Sequence, residues 1–238
     1  MSFFTFNGIN SKDIGLIVTK PVVRPSWAMV KKEIEAPGRS VNVMQFSKTY
    51  SNAAMTIDTV IADASPENVR SIYDALRGYG KLQISTAPDE YINAYVEPLV
   101  PEAVALLMAE LPVKFTCEPF AYAVEPTIVQ LTAGQTTVTN GGTVYCAPEF
   151  TILAEGESVT LTVNGKEFII TLPSDAVNKV ITVDCDAEMT YYNDAQANMI
   201  SINQYTRNDY PLFRTGFNLV ELTGTIHTAY VTIRERWF

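Results

Sequence analysis

Apolar and polar residues alternate with period two over much of the chain, in short runs set close together. Ile14-Gly15-Leu16-Ile17-Val18 is strand material, followed by a proline-punctuated stretch from Pro21 to Pro25. Ile34-Glu35-Ala36-Pro37-Gly38-Arg39-Ser40 reads as a strand end running into a Pro-Gly turn. Met55 to Ile61 alternates and predicts one long half-buried strand. Leu82 to Ser85, a turn at Pro88-Asp89-Glu90, Tyr91 to Val96 and Val113 to Cys117 continue the series.

One segment breaks the pattern with a helical period. Ser65 is a good N-cap, Pro66 suits the first helical position, and Glu67 complements the positive end of the macrodipole. Val69, Ile72, Tyr73 and Leu76 then fall on one stripe, with Arg77 and Gly78 closing the helix. Such a stripe packs a helix onto its own sheet.

A change of texture at Glu125-Pro126 marks a domain boundary. Residues 1–126 carry 11 basic and 14 acidic groups, net −3, whereas residues 127–238 carry 6 and 12, net −6. The second part lacks helical pattern. Val159, Leu161 and Val163 alternate with threonines up to Asn164-Gly165, and Lys166 to Leu172 forms the return strand. Asn-Gly between alternating runs is a strong hairpin signal, because both turn residues need positive φ. Val180 to Val183, Met199 to Ile202, Asn218 to Leu222 and Ala229 to Ile233 add further short strands. The expected fold class is therefore mainly β with one helix: an α+β N-terminal domain over 1–126, its helix near 66–77, and a β-sandwich or barrel over 127–238.

Composition narrows the chemistry. The 238 residues are 47% hydrophobic and 18% charged, with a formal net charge of −9, which argues against a nucleic-acid-binding surface. A single histidine, His227, excludes His-clustered metal sites, and any Ser-His-Asp triad must run through it. Its strand neighbours supply no serine, and no G-x-S-x-G elbow occurs. Cys117, Cys146 and Cys185 are far apart and form no C-x-x-C pair, as expected of reduced thiols in a cytoplasmically folded protein. The start of the chain lacks the pattern of a secretory signal, and no run is long and apolar enough to span a membrane.

Other constellations have plain structural readings. Asp184-Cys185-Asp186-Ala187-Glu188 spaces carboxylates like the start of a calcium loop, but Met189 and Thr190 stand where the loop would need glycine and further ligands. Asn140-Gly141-Gly142-Thr143 has neither P-loop nor dinucleotide spacing. Arg234 and Arg236 close a last strand on an acidic domain. Tyr191, Tyr192, Tyr205, Tyr210 and Phe213 are candidates for a sugar platform, which makes a carbohydrate-binding module in host adhesion the alternative function.

Ordered fragments carry a resemblance across nearly the whole chain. Phe6-Asn7-Gly8, Ser11 to Gly15, Ala36-Pro37-Gly38-Arg39, Tyr91 to Ala94 and Val113 to Tyr122 resemble the N-terminal domain of bacteriophage distal tail (Dit) proteins. Leu161 to Lys166, Ile181 to Asp184, Pro211-Leu212, Gly216 to Asn218, Thr223-Gly224 and Ile233 to Trp237 follow the same template. Two departures stand out. Ser40-Val41 replaces the usual acidic-glycine pair after Pro-Gly-Arg, and no large insertion adds a carbohydrate-binding module.

The resemblance implies structural work without catalytic residues, metal or cofactor. It implies a β-barrel-like N-terminal belt domain that forms a homo-hexameric ring on the tail tube, around a channel for DNA as passing cargo. The C-terminal domain would be a galectin-like β-sandwich facing the baseplate and receptor-binding proteins. The place would be the virion tail tip, after assembly in the bacterial host cytoplasm, with no membrane partner. An acidic channel would not trap phosphates. A ring closes through heterologous contacts, for which a strand edge or hairpin is a natural device. The segment from Ile34 to Ile61 is expected to serve, with Pro37, Gly38, Arg39, Ser40, Met55 and Ile57 as interface residues.

Overall fold

Because successive strand residues point to opposite faces, alternation decides which side chains each strand hides. The computed structural model describes residues 2–238 apart from Ala36, Arg39, Pro101, Glu102, Leu106, Leu107 and Ala133. Contacts divide the chain into two compact units, Met1–Val124 with Phe238 and Glu125–Trp237. Each has its own hydrophobic core.

In the first unit, one antiparallel sheet runs in the order Ile9–Asn10, Phe4–Phe6, Gly78–Ile84, Ala87–Val96, Val113–Ala123. Ala53–Ile57 pairs with the first half of Val113–Ala123. A smaller sheet orders Ala103–Ala105, Met108–Glu110, Thr59–Ile61, Leu16–Val18. Phe4 and Phe6 both pack their rings on Phe115, at 5.8 and 5.9 Å, in the middle of this core. Among the described residues neither sheet closes on itself, so the first unit consists of open sheets and one helix.

The helix, Pro66–Ala75, starts where its capping residues require: the Ser65 hydroxyl accepts from the Asn68 amide. Ile72 and Leu76 are buried, and Val69 and Tyr73 pack beside them. Two strand boundaries differ from the sequence expectation. The run from Met55 to Ile61 is two strands in different sheets, broken at Asp58, whose carbonyl accepts from the Thr19 amide at 3.0 Å. The expected turn at Pro88-Asp89-Glu90 lies inside the strand Ala87–Val96, and the chain turns at Ser85 and Thr86 instead.

The second unit depends on two long strands, Glu149–Val163 and Gly216–Ile233, paired along most of their lengths. The expected short strands Asn218 to Leu222 and Ala229 to Ile233 are the two ends of the second. Their register breaks where Ala154 pairs with Ile226 and Val159 with Gly224, leaving residues 155–158 bulged out. On one side of the bulge the strand order is Thr127–Leu131, Gly216–Ile233, Glu149–Val163, Val180–Asp184, Met189–Asn193, Met199–Ser201. On the other side Gly134–Asn140 and Lys166–Thr171 flank the same two long strands. Phe150, Ile152, Ala229 and Val231 from one half share a core with Leu161, Val163, Phe168 and Val220 from the other, which makes a β-sandwich whose long strands change sheets at the bulge. The Asn164-Gly165 hairpin forms as expected, with φ +51° and +82°.

Gly224 sits in this bend at φ +135°, where an added Cβ would meet the Ser158 carbonyl oxygen at 2.7 Å. Gly224→Ala therefore loses about 1–3 kcal/mol from the backbone conformation alone, and more from the collision. Urea unfolding of the full chain should show the loss in the transition of the second unit and leave the first unchanged.

Candidate partner interface

The strands Met29–Ile34 and Val43–Tyr50 pair only with each other among the described residues. Pro37 and Gly38 turn the chain between them, with Gly38 at φ +81°. Register puts Lys31 opposite Phe46 and Glu33 opposite Met44 on one face, and Lys32 opposite Gln45 and Ile34 opposite Val43 on the other. The first face thus mixes apolar side chains with charges of both signs, and the second sets apolar side chains beside Lys32 and Gln45. Met29, Val30, Ile34, Val41, Val43, Met44 and Phe46 are all exposed, Phe46 by 58%. An isolated two-stranded hairpin is marginal in water, and contiguous exposed apolar surface marks an interaction site.

The base of the hairpin is held more firmly. The Ser51 amide and hydroxyl donate to the Ala28 carbonyl, and the Tyr50 ring lies 5.3 Å from Phe120 and 5.0 Å from Phe238. The hairpin thus combines a tethered base with exposed apolar side chains.

Sequence reasoning located the turn but not the return strand. Pro37, Gly38 and Ser40 are exposed around the tip, and Arg39 lies outside the described residues. Met55 and Ile57 are a correction: they are 6% and 2% exposed, in the core of the first unit, and so present no side chain to a partner. On the paired strands, the exposed apolar residues nearest the turn are instead Phe46, Met44, Val43 and Ile34. Their signal was the apolar residues flanking Pro37-Gly38 on both sides, which define a hairpin rather than a single strand end.

Other candidates resolve into local structure. His227 is exposed, its Nδ1 3.6 Å from the Glu155 carboxylate. The three thiols are buried and free; burial pushes Cys117 up to about 12 and Cys146 to about 11, and raises Cys185 further, so none supplies a thiolate near neutral pH. Asp184 accepts from the Asp186 and Ala187 amides in a tight turn. Gly142 gives the backbone of Arg236 room to approach, and the Arg236 side chain donates to the Tyr145 carbonyl while its guanidinium lies 5.1 Å from that ring. The proposed sugar platform is dispersed. Phe213 is buried against Phe150, Tyr210 packs on Phe168 at 4.7 Å, and Tyr192 is buried with its hydroxyl donating to Asp175. Tyr191 is half-buried and Tyr205 exposed.

No protein-family profile matches the chain, and no curated protein does. Solved structures share its fold. The Dit protein of phage SPP1, described as a paradigm of the hub adsorption apparatus in phages infecting Gram-positive bacteria, aligns over 100% of both chains with a TM-score of 0.78 at 13% identity. A chain of the phage P2 baseplate in its activated conformation with calcium aligns over 99% of this chain and 98% of its own, with a TM-score of 0.55 at 9% identity. The strontium form of that baseplate gives 0.53 at 10% identity over the same shares.

The Tyr192–Asp175 bond gives a pH test of the corrected role of Tyr192. Its hydroxyl holds the Asp175 carboxyl below its usual range, while the same bond, with burial, pushes the Tyr192 phenol up to about 12. The depressed carboxyl contributes stability above its unfolded pKa of about 3.9, lost as pH falls through the folded value. The raised phenol contributes below its unfolded pKa of about 10, lost as pH rises towards the folded value. Tyr192→Phe should therefore be less stable than the parent at neutral pH, with the gap closing in acid and again in strong alkali, as read from denaturant midpoints.

Proposed function

We propose that this chain is a structural hub of a phage tail tip, one of six copies in a ring that joins the tail tube to the baseplate and receptor-binding proteins. The observation that carries the reading is the match to the SPP1 hub over the full length of both chains. A fold shared end to end, through two units and the connection between them, supports a shared architectural job better than a match to one common module would.

The exposed hairpin supplies the contact such a ring requires. When the hairpin of one copy meets a different surface of the next, the heterologous contact closes into a ring if the rotation between copies allows it. The first unit is then the belt against the tail tube, and the sandwich faces the baseplate. The net charge of −9 suits a channel that DNA passes without adhering. The proposed location is the virion tail tip, reached by assembly in the host cytoplasm.

Light scattering and negative-stain imaging of the full chain test the reading: a ring at six times the 26.3 kDa subunit mass is expected. Phe46→Asp with Met44→Asp should weaken self-association about thirtyfold or more, the equivalent of about 2 kcal/mol for an interface aromatic. Because both side chains are exposed, the unfolding transitions should stay in place. A chain that remains monomeric at all concentrations, alone and with tail-tube protein, contradicts the proposal.

A further inference from the structure

The strand register of the second unit lines up a row of side chains that its core does not use. Gln130 pairs with Tyr230, Tyr230 with Thr151, Thr151 with Thr182, Thr182 with Tyr191, and Tyr191 with Ser201. Alternation turns all of them outward, because their strand neighbours Phe150, Ile152, Ile181, Val183, Tyr192, Ala229 and Val231 are buried. Tyr230 is exposed and Thr151, Thr182 and Tyr191 are half-buried, so the face is open to solvent yet supported from beneath. At about 4.8 Å per strand, the two tyrosines stand about 14 Å apart with the two threonines between them.

The chemistry of this row is specific. No hydrogen bond among the described residues occupies the hydroxyls of Thr151, Thr182, Tyr191 or Tyr230. Along one flank Glu149 and Asp184 are direct cross-strand partners, each two residues from a row threonine. The Asp184 carboxylate is partly engaged by its own turn, which leaves Glu149 as the freer acceptor. The row thus offers two aromatic faces, a ladder of hydroxyls that donate and accept, and a carboxylate that accepts.

Charge and composition choose between occupants. An anionic polymer would meet two carboxylates on a unit, Glu125–Trp237, whose 6 basic and 13 acidic groups give a net charge of −7. A protein partner wants an apolar centre, whereas the centre here is threonine. A neutral saccharide needs what is present: amphipathic aromatic rings for its C–H faces and paired donors and acceptors for its hydroxyls. We propose that this face binds a neutral oligosaccharide, its sugar rings laid on Tyr191 and Tyr230 and its hydroxyls bonded to Thr151, Thr182 and Glu149. The span between the tyrosines favours an oligosaccharide over a single sugar. This replaces the dispersed platform of Tyr192, Tyr210 and Phe213 with one continuous face.

The test titrates the full chain with cellotetraose, chitotetraose and a galactose tetramer, with glycerol-phosphate polymer as the anionic comparison, by saturation-transfer NMR and calorimetry. At least one neutral tetramer is expected to bind, and Tyr191→Ala and Tyr230→Ala should each weaken it about tenfold. Thr182→Val should weaken it less, and Tyr205→Ala, outside the row, should leave it unchanged. Thr182→Lys blocks the middle of the row without removing either ring, so it decides the matter if a tyrosine variant unfolds. The proposal is overturned if no neutral tetramer binds, if the anionic polymer binds as well as the best of them, or if binding survives Thr182→Lys. Binding is read on the chain whether monomeric or ringed, so failure here leaves the hub proposal standing, and failure of the ring leaves this one standing.

Discussion

A β-strand satisfies its backbone through its neighbours but leaves a row of side chains on each face, and hiding one such row holds each unit together. In the first unit Phe4, Phe6, Leu82, Ile92 and Phe115 form that hidden row, and the helix closes part of it through Ile72 and Leu76. In the second, the long strands carry the row round a bend, so residues from both halves of the same strand meet in one core. The bend needs a residue without a side chain, and Gly224 is that residue. The hairpin strands Met29–Ile34 and Val43–Tyr50 break the rule: register is satisfied, yet Met29, Val30, Ile34, Val43, Met44 and Phe46 stay exposed. That exception directs attention to a partner.

How much of this was legible in the sequence depended on whether the signal was local. The Ser65-Pro66 cap and the stripe through Leu76 lie within one helix, and the helix forms at Pro66–Ala75. Asn164-Gly165 dictates its own turn and forms it. The long strands were not legible as such. Residues 155–158 and 223–228 interrupt alternation with polar and glycine residues, because a bulge serves a bend in three dimensions rather than a period along the chain. Met55 to Ile61 failed differently: the alternation slips at Asp58-Thr59, and the slip marks a change of sheet, shown by the separate partners of Ala53–Ile57 and Thr59–Ile61, rather than one long strand.

Site residues followed the same division. Pro37 and Gly38 announce a turn, but which side chains the turn sets opposite one another, such as Lys31 and Phe46 or Glu33 and Met44, depends on the register of the pair. Tyrosines adjacent in sequence separate completely in space: Tyr192 goes inward to Asp175 and Tyr191 outward to a row assembled from six strands. A row whose members lie between Gln130 and Tyr230 in the sequence is a product of register, and no linear spacing encodes it. The two proposals therefore use different physics, an apolar arm that seeks cover and a polar face that seeks hydroxyls.

The central claim is that the hairpin is covered by another copy in the assembled state. Hydrogen–deuterium exchange of residues 29–50, compared between assembled and diluted protein, tests it most directly. The account predicts that these amides exchange much more slowly in the assembly than in the monomer, while amides of the sandwich core, such as those around Phe150 and Leu161, exchange alike in both. Equal exchange of the hairpin in the two states, with protection arising elsewhere, would contradict it.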